Sequence, residues 1–489
     1  MKTYFRIFCY VMIIGTFTGM YSCSPEDQEK TNVLFIAVDD LRPALACYGD
    51  GLAITPNIDR LAGEGALFTN HYVQAPSCAP SRTSMLTGYR PDEVKVTNHA
   101  THFRDTRQEV VTLPELFKKE GYTTISLGKI FHYARGYNDT QSWDEEHFLK
   151  GYMSGYILQE NRDIKGNAAS SECVDVPDTA YLDGIIAEKA IECLRSFKKN
   201  NTSFFLAAGF LKPHLPFNAP KKYWDLYDRE IFGDIDQRDP PENAPSIAFH
   251  NCQELRGYND TPDEWPLSEE KEKKLRHGYY ACVSYVDEQI GKVLKTLDEL
   301  GLRENTLVVF WGDHGYHLGE QNLWCKSTNF EFSARSPLII SAPGEAKRGI
   351  TIDAFAESVD IYPTIIDLCG LSSPNELAGI SLEPLLQDPV KKWNDKAFNQ
   401  FVRPYRAAIG GKEPMTHMGY SVRTDGYRYT SWYNVASGSF EYPELYRLTD
   451  DHKISDNLAG QPDYAELEKE YARAVLDYKN GVYKKTGFK

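Results

Sequence analysis

Residues Asn32-Val33-Leu34-Phe35-Ile36-Ala37-Val38 form an unbroken apolar, β-branched run with no polar side to turn toward water. Such a run is a strand covered on both faces, which requires a sheet packed between two layers. The run stops at Asp39-Asp40. Two adjacent carboxylates at the C-terminal end of a buried strand repel each other and lose solvation, so positive charge is expected between them. That edge of an open α/β sheet is where ligands bind. A solvated turn or a helix cap is the alternative, but a cap needs only one carboxylate, so Asp39 and Asp40 are expected to hold a metal ion.

The same arrangement recurs downstream. Thr306–Trp311 reads as a second buried strand and ends in Gly312-Asp313-His314-Gly315, so Asp313 and His314 would complete the metal shell from an equivalent strand end. Ser203–Phe210 runs into Lys212-Pro213-His214-Leu215-Pro216-Phe217. Prolines on both sides hold His214 as a proton donor should be held, although a satisfied loop histidine has the same pattern. Tyr122–Leu127 delivers Gly128-Lys129-Ile130-Phe131-His132, from which Lys129 and His132 can face one anion, and Lys326 adds a further positive charge. Ser336–Ile340 continues the sheet, and Phe68–Val73 returns toward it.

Helices are expected at Pro56–Ala62 behind the cap Thr55, at Leu113–Glu120 behind Thr112, at Ala187–Phe197 and at Tyr279–Leu300. Strands alternating with helices imply an α/β fold with a doubly wound, mainly parallel sheet. Residues 137–180 are polar and aperiodic, as surface loops or a pocket rim would be. The rhythm stops near Gly379–Leu386; Tyr420–Thr424 and Tyr427–Thr430 then alternate around Asp425-Gly426 as an antiparallel hairpin, and a helix closes the chain at about 464–478. The expected division is a leader over 1–23, a catalytic domain over 24–390 and a smaller α+β domain over 391–489.

A chain of 489 residues exceeds what one hydrophobic core serves, in keeping with two domains. Its net charge of −15 argues against nucleic acid or an anionic membrane surface as partner, so an anionic substrate would need a local cluster of Lys, Arg and His. Lys2 and Arg6 precede an apolar run from Ile7 to about Met20, too short to span a bilayer, as in an export signal. Met20-Tyr21-Ser22-Cys23 followed by a polar linker resembles a bacterial lipoprotein processing site, which implies a lipid anchor at Cys23 and an exported product, periplasmic or tethered to the outer membrane of a Gram-negative cell. An ordinary cleaved signal is the alternative. Ten cysteines without a Cys-x-x-Cys pair suit neither a disulfide scaffold nor a zinc cluster; setting aside Cys9, Cys23 and Cys78 leaves an odd number, hence at least one free thiol.

Cys78-Ala79-Pro80-Ser81-Arg82, followed by Leu86-Thr87-Gly88, puts a thiol on an extended turn two residues before a proline, with Arg82 aimed back at it from a helix start. A buried structural cysteine beside a helix cap is the plain alternative. The pattern resembles the signature of the type I sulfatases, although Tyr89 stands where that family has arginine and Arg90 follows one place later. The likeness to sulfatases of the alkaline-phosphatase superfamily covers nearly the whole mature chain and is greatest for the iduronate-2-sulfatase group. Its marks are Gly128–His132, Lys212–Phe217, Asp313-His314-Gly315 with Leu318-Gly319-Glu320, Lys326 with Asn329-Phe330, and the hairpin from Tyr420.

The resemblance implies an alkaline-phosphatase-like fold and a Cys78 oxidised to formylglycine by a maturation enzyme. It implies calcium held by Asp39, Asp40, Asp313 and His314 with residue 78 as a further ligand. By the same likeness the hydrated aldehyde attacks sulfur, while Arg82, Lys129 and Lys326 neutralise the sulfuryl oxygens. His214 protonates the departing sugar oxygen, with Lys326 as its rival, and His132 takes the proton that lets sulfate leave. The implied substrate is a sulfated oligosaccharide, in particular a 2-O-sulfated hexuronate of a glycosaminoglycan bound by Lys129, His214 and Lys326. Lys95 is the candidate for the sugar carboxylate. Tyr316 and Ser327, which depart from the lysosomal pattern, are expected at the pocket and leave algal or mucin glycans open as substrates. A phosphoesterase or phosphonate hydrolase of the same superfamily, and a non-catalytic glycan-binding lipoprotein in which Cys78 stays a thiol, are the rival readings.

Overall fold

Val33, Phe35 and Ala37 pack into one hydrophobic core while Leu34, Ile36 and Val38 pack into another, so the first strand is covered on both faces as its composition requires. The computed structural model describes residues 30–132, 139–147, 155–233, 235–344, 349–449, 452–483 and 485. The leader with Cys9 and Cys23 lies outside them.

Asn32–Val38 sits inside an eight-stranded sheet. On one side it pairs in parallel with Phe204–Phe210, which pairs in parallel with Thr123–Gly128, and the edge strand Glu145–His147 follows, also parallel. On the other side it pairs in parallel with Thr306–Gly312. Leu338–Ser341 comes next and runs antiparallel both to Thr306–Gly312 and to Ala66–Phe68, beside which Ile350–Ile352 closes the sheet. The expected doubly wound, mainly parallel sheet is present, with the strand after Ser336 reversed. That reversal has a simple cause: the chain leaves the sheet at Gly312, wanders over the same edge, and re-enters there with no helix to carry it to the far end.

Register fixes what this edge displays. Val38 pairs with both Phe210 and Gly312, and Gly128 pairs with Gly209, so four strands finish level and deliver Asp39, Asp313, Leu211 and Lys129 side by side. Gly209 permits that convergence, because a Cβ there would stand 2.0 Å from the Lys129 carbonyl oxygen.

Helices Pro56–Glu64, Leu182–Asn200 and Glu269–Glu299 cover one face; Cys78–Thr87, Leu113–Lys119 and Ile361–Leu368 cover the other. The helix expected from Tyr279 begins at Glu269. Its first turns are a run of Glu and Lys with no apolar period, but Ser268 caps them by accepting from Lys271 N at 3.4 Å, and three glutamates in the first turn complement the helix dipole. The polar stretch 137–180 is not all loop: besides Glu145–His147 it contains Ser171–Val174, paired in parallel with Phe217–Pro220.

Lys396–Arg403, His417–Thr424, Tyr427–Asn434 and Phe440–Arg447 form a second, four-stranded antiparallel sheet in chain order, with the expected hairpin at its centre. Ala465–Lys479 covers it through Tyr471 and Val475, which join Val422, Tyr429 and Leu445 in a core of their own. Both sheets belong to one compact unit that begins at Thr31. All eight described cysteines are free, so none of the candidates left for pairing is joined among the described residues.

Candidate active site

The ladder hydrogen bonds continue one residue past the strand ends: Asp39 N donates to Phe210 O at 3.1 Å and Asp313 N to Val38 O at 3.1 Å. Asp40 then turns into the left-handed region, φ 59°, held by its N–H to Asp313 Oδ1 at 3.0 Å and by Tyr279 OH, which donates to its carbonyl at 2.8 Å. A non-glycine residue there costs about 1–3 kcal/mol, a strain that persists where the surroundings enforce it.

Cys78 comes to the same place from the other direction. It is already the first residue of the helix Cys78–Thr87, not part of an extended turn, because Pro80 falls in the first turn, where a missing N–H is no loss. Every residue of this helix is buried. Cys78 Sγ lies 3.2 Å from His314 Nε2 and 3.5 Å from Asp39 Oδ1. One turn on, Arg82 is fully enclosed. Its Nε donates to Asp313 Oδ2 at 2.8 Å, Nη2 to Asp39 Oδ1 at 3.3 Å, and Nη1 to the carbonyls of Lys129 and Ile130. The arginine expected to face an anion therefore lies beneath the carboxylates and holds two of them in place.

Two ammonium groups face the same carboxylates. Lys129 Nζ pairs with Asp39 Oδ2; Lys326 Nζ lies 2.9 Å from Asp40 Oδ2 and 2.7 Å from Glu254 Oε1. His214, half-buried, brings Nε2 to 3.2 Å from Glu254 Oε1 and 3.9 Å from Asp40 Oδ2. His132 is buried with its ring centroid 4.4 Å from that of His99, and His99 Nε2 is 2.7 Å from Oγ of Ser77, the residue before Cys78.

The electrostatics follow from burial and these partners. Burial raises the Asp39 carboxyl, but Lys129, His214 and Arg82 outweigh it and hold that group well below the usual carboxylate range. Burial wins at Asp313 and pushes it up despite Arg82. Burial, and next Asp39, raises the Cys78 thiol well above its ordinary value. At His214 burial and Lys326 oppose the proton, yet Asp40, Asp39 and Glu254 prevail and raise it. His132 is driven well below the ordinary histidine value, by burial first and then by His99 and Lys129, and stays neutral.

A cation fits here. One donor atom each from Asp39, Asp40, Cys78 and His314 lie within 4.8 Å of one another. Asp40 Oδ1 is buried with no hydrogen-bond partner, a cost that a metal would remove. His314 Nδ1 sits 3.0 Å from the Gly315 carbonyl, which fixes the N–H on Nδ1 and leaves the Nε2 lone pair toward the cluster. Carboxylate oxygens from Asp39 and Asp40 suit a hard divalent ion; the expected third aspartate, Asp313, stands just outside this group, its oxygens accepting from Asp40 N and Arg82 Nε.

Of two expected substrate contacts, Lys95 is exposed at the end of the short helix Pro91–Val94. Tyr316 is fully buried, stacked on Tyr279 at 5.5 Å between centroids and bonded through its hydroxyl to Cys325 Sγ, so it is core beneath the site and not pocket wall. Conversely, Glu254 and His99 belong to the site and were not singled out by sequence. Both lie in polar, aperiodic stretches, where no strand end or motif marks them.

The model of the family described as Sulfatase matches residues 31–371, and that described as N-sulphoglucosamine sulphohydrolase, C-terminal, matches residues 319–480. Iduronate 2-sulfatase of Homo sapiens is 33% identical, over 83% of this chain and 85% of its own. A solved structure of a protein in complex with its substrate D-glucosamine-2-N,6-O-disulfate superposes with a TM-score of 0.74 at 25% identity, covering 92% of this chain and 98% of that one. The phosphonate monoester hydrolase of Agrobacterium radiobacter also reaches 0.74, at 22% identity over 93% of this chain and 96% of its own, a likeness of fold alone.

Proposed function

The chain belongs to the sulfatase family, a family of sulfate-ester hydrolases, and from that premise we propose that its substrate is the 2-O-sulfate of an iduronate or unsaturated hexuronate residue in glycosaminoglycan oligosaccharides. The observation that carries this reading is the buried convergence of Asp39, Asp40 and His314 on the Cys78 sulfur, with Asp313 3.6 Å from His314 Nε2 and Lys129 and Lys326 beside it. Identity to an iduronate 2-sulfatase along most of both chains, together with a histidine in the metal shell, supports the hexuronate. The amino-terminal pattern with Cys23 supports an exported, lipid-tethered enzyme.

Asp39, Asp40, Asp313 and His314 would hold calcium, and formylglycine made from Cys78 by a maturation enzyme would supply the hydrated aldehyde on which the family's sulfate transfer depends. The rest falls to the chain's own groups. Arg82 keeps two carboxylates apart and oriented, and so fixes the donors before substrate arrives. Lys129 and Lys326 bring positive charge from opposite sides to the place where sulfuryl oxygens would lie. His214, with the proton favoured on its half-exposed ring, donates from Nε2 to the departing sugar oxygen. His132, neutral and buried, takes up the proton that sulfate release requires.

The test is sulfate release by the matured enzyme from unsaturated disaccharides each sulfated at one position. Release from the 2-O-sulfated uronate alone is expected. Release only from amino-sugar sulfates, or only from algal or mucin sulfates, would overturn the substrate. Faster phosphate than sulfate release from matched esters would favour the phosphoesterase reading instead.

A further inference from the structure

The segment carrying His214 has little backbone bonding of its own beyond His214 N–H to the Leu211 carbonyl, at 2.9 Å. Two of its residues, Pro213 and Pro216, have no N–H, and the strand Phe204–Phe210 has ended before it begins. What braces it is a buried lysine. Lys212 is only 6% exposed and, among the described residues, meets no carboxylate within hydrogen-bond reach; its Nζ instead donates to the carbonyls of His214, at 3.0 Å, and Pro216, at 2.6 Å. The carbonyl between them, that of Leu215, faces His214 Nδ1 at 2.7 Å. Three successive carbonyls are thus tied to two side chains, and the imidazole is oriented by its own turn. The turn is anchored at its start by Asp183, whose carboxylate accepts from Leu211 N at 2.7 Å and Lys212 N at 2.9 Å.

Burying an ammonium costs free energy, and among the described residues no carboxylate bonds to this one to offset it; Asp183, Asp39 and Asp40 act on it only through space. A methionine would fill the same space without that cost. We propose that Lys212 is a positioning residue for proton donation: by gripping the His214 and Pro216 carbonyls it sets where His214 Nε2 stands relative to the departing oxygen. This rests on the reading of His214 as the proton donor given above. Lys212 itself touches neither the metal cluster nor the substrate. No bond is made or broken at Lys212; the proton passes from His214 Nε2 to the leaving oxygen.

The experiment uses the matured, metal-loaded enzyme and a series of aryl sulfates running from 4-nitrophenyl, which leaves without a proton, to phenyl, which needs one. Lys212→Met should lower kcat on phenyl sulfate by roughly 30-fold or more, a large part of the about 10²–10⁴-fold that a lost general acid costs. KM, and kcat on 4-nitrophenyl sulfate, should stay within about threefold. In a His214→Ala background the same substitution should add no further loss on either ester, because one unit is being removed twice. Equal loss on both esters, or full additivity with His214→Ala, would overturn the proposal. Should His214→Ala leave the phenyl to nitrophenyl ratio unchanged, the donor assignment itself falls, and the role of Lys212 with it. Lys212→Gln, which keeps two donors on a shorter arm, carries the same comparison if Lys212→Met does not fold.

Discussion

Cys78 Sγ and His314 Nε2 lie 3.2 Å apart, although 236 positions separate them in the chain. A helix start and a strand end meet there, fastened by Ser81 Oγ, which donates to the Asp313 carbonyl, and by Arg82, which pairs with the Asp313 side chain. The thiol so enclosed is held in its protonated form by burial and by Asp39, and a protonated thiol is a poor nucleophile. Protein made without a maturation enzyme is therefore expected to fold but to release no sulfate. In active protein, mass spectrometry of the peptide spanning Ser77 to Arg82 should show sulfur and two hydrogens exchanged for one oxygen. Full activity with an intact thiol would defeat this expectation, and Cys78→Ala should be inactive under all conditions.

Asp40 supplies the next prediction. Its Oδ1 is buried without a hydrogen-bond partner, while Oδ2 is taken by Lys326. Chelation should therefore abolish sulfate release and lower Tm, and added calcium should restore both. Metal at a hundred times its Kd would stabilise the fold by about 2.7 kcal/mol. Asp40→Asn should fold, remain inactive, and lose most of the calcium-dependent rise in Tm. A calcium response equal to that of the parent would place the ion elsewhere.

How much of this was visible in the sequence depends on where each residue sits. Asp39-Asp40 and Asp313-His314 are legible because polar groups at the end of an all-apolar strand stand out, and parallel strands place such ends together. Glu254, on the short helix Gln253–Arg256, and His99 are not, since only tertiary packing brings their segments to the site. Tyr316 was misjudged for a different reason. A Cβ at Gly315 would meet the Phe332 carbonyl oxygen at 2.0 Å, so the chain dives under the site at that point and the next ring turns to the long helix, stacking on Tyr279. Lys95 sits at the exposed end of a short helix, where the sequence does not separate a pocket cation from a solvated one. Lys95→Ala is expected to leave kcat/KM on the sulfated disaccharide within about twofold, as for a surface change away from the site; a rise in KM of tenfold or more would return it to the pocket.

Glu331 ties the second sheet to the short strand His71–Tyr72. Its carboxylate, fully buried, accepts from Arg428 Nη2 at 2.6 Å and from Tyr72 OH at 2.6 Å, with Arg423 at 3.4 Å and His452 at 3.3 Å. Burial raises its pKa, but Arg423 and Arg428 outweigh that and hold it well below the usual value. A depressed folded-state pKa gives stability that is present above the unfolded carboxylate's value, near 4.3, and is lost as pH falls through the folded one. Glu331→Gln should thus destabilise by about 3–5 kcal/mol at pH 7 and by a similar amount at about pH 5. The difference should shrink only in stronger acid, as the parent takes up its proton. Urea unfolding at these pH values checks both the size and the trend; a difference that vanished by pH 5 would contradict the assignment.

Lys485, near the end of the chain, makes the last prediction. Its ammonium is buried between Glu357 Oε2, at 2.7 Å, and Asp360 Oδ2, at 2.6 Å. Arg90 grips the same Glu357 through both terminal nitrogens, at 3.0 and 2.9 Å, and Gln74 reaches it at 3.2 Å. Gln74 and Arg90 flank the helix that carries Cys78, so the tail closes a charged brace behind the active-site helix. Removing Lys485 leaves Asp360 buried without its cation, whereas Glu357 keeps Arg90. Lys485→Met should therefore cost about 3 kcal/mol, read as a fall in Tm, with kcat changed by less than about threefold at 25 °C, because the grip of Arg90 survives. Burial already raises the Asp360 carboxyl, so in Lys485→Met stability should partly return as pH falls and that group takes up a proton. Asp360→Asn should rescue Lys485→Met by removing the stranded charge, which makes the two substitutions strongly non-additive. Simple additivity in the double variant would show that the tail holds by packing alone.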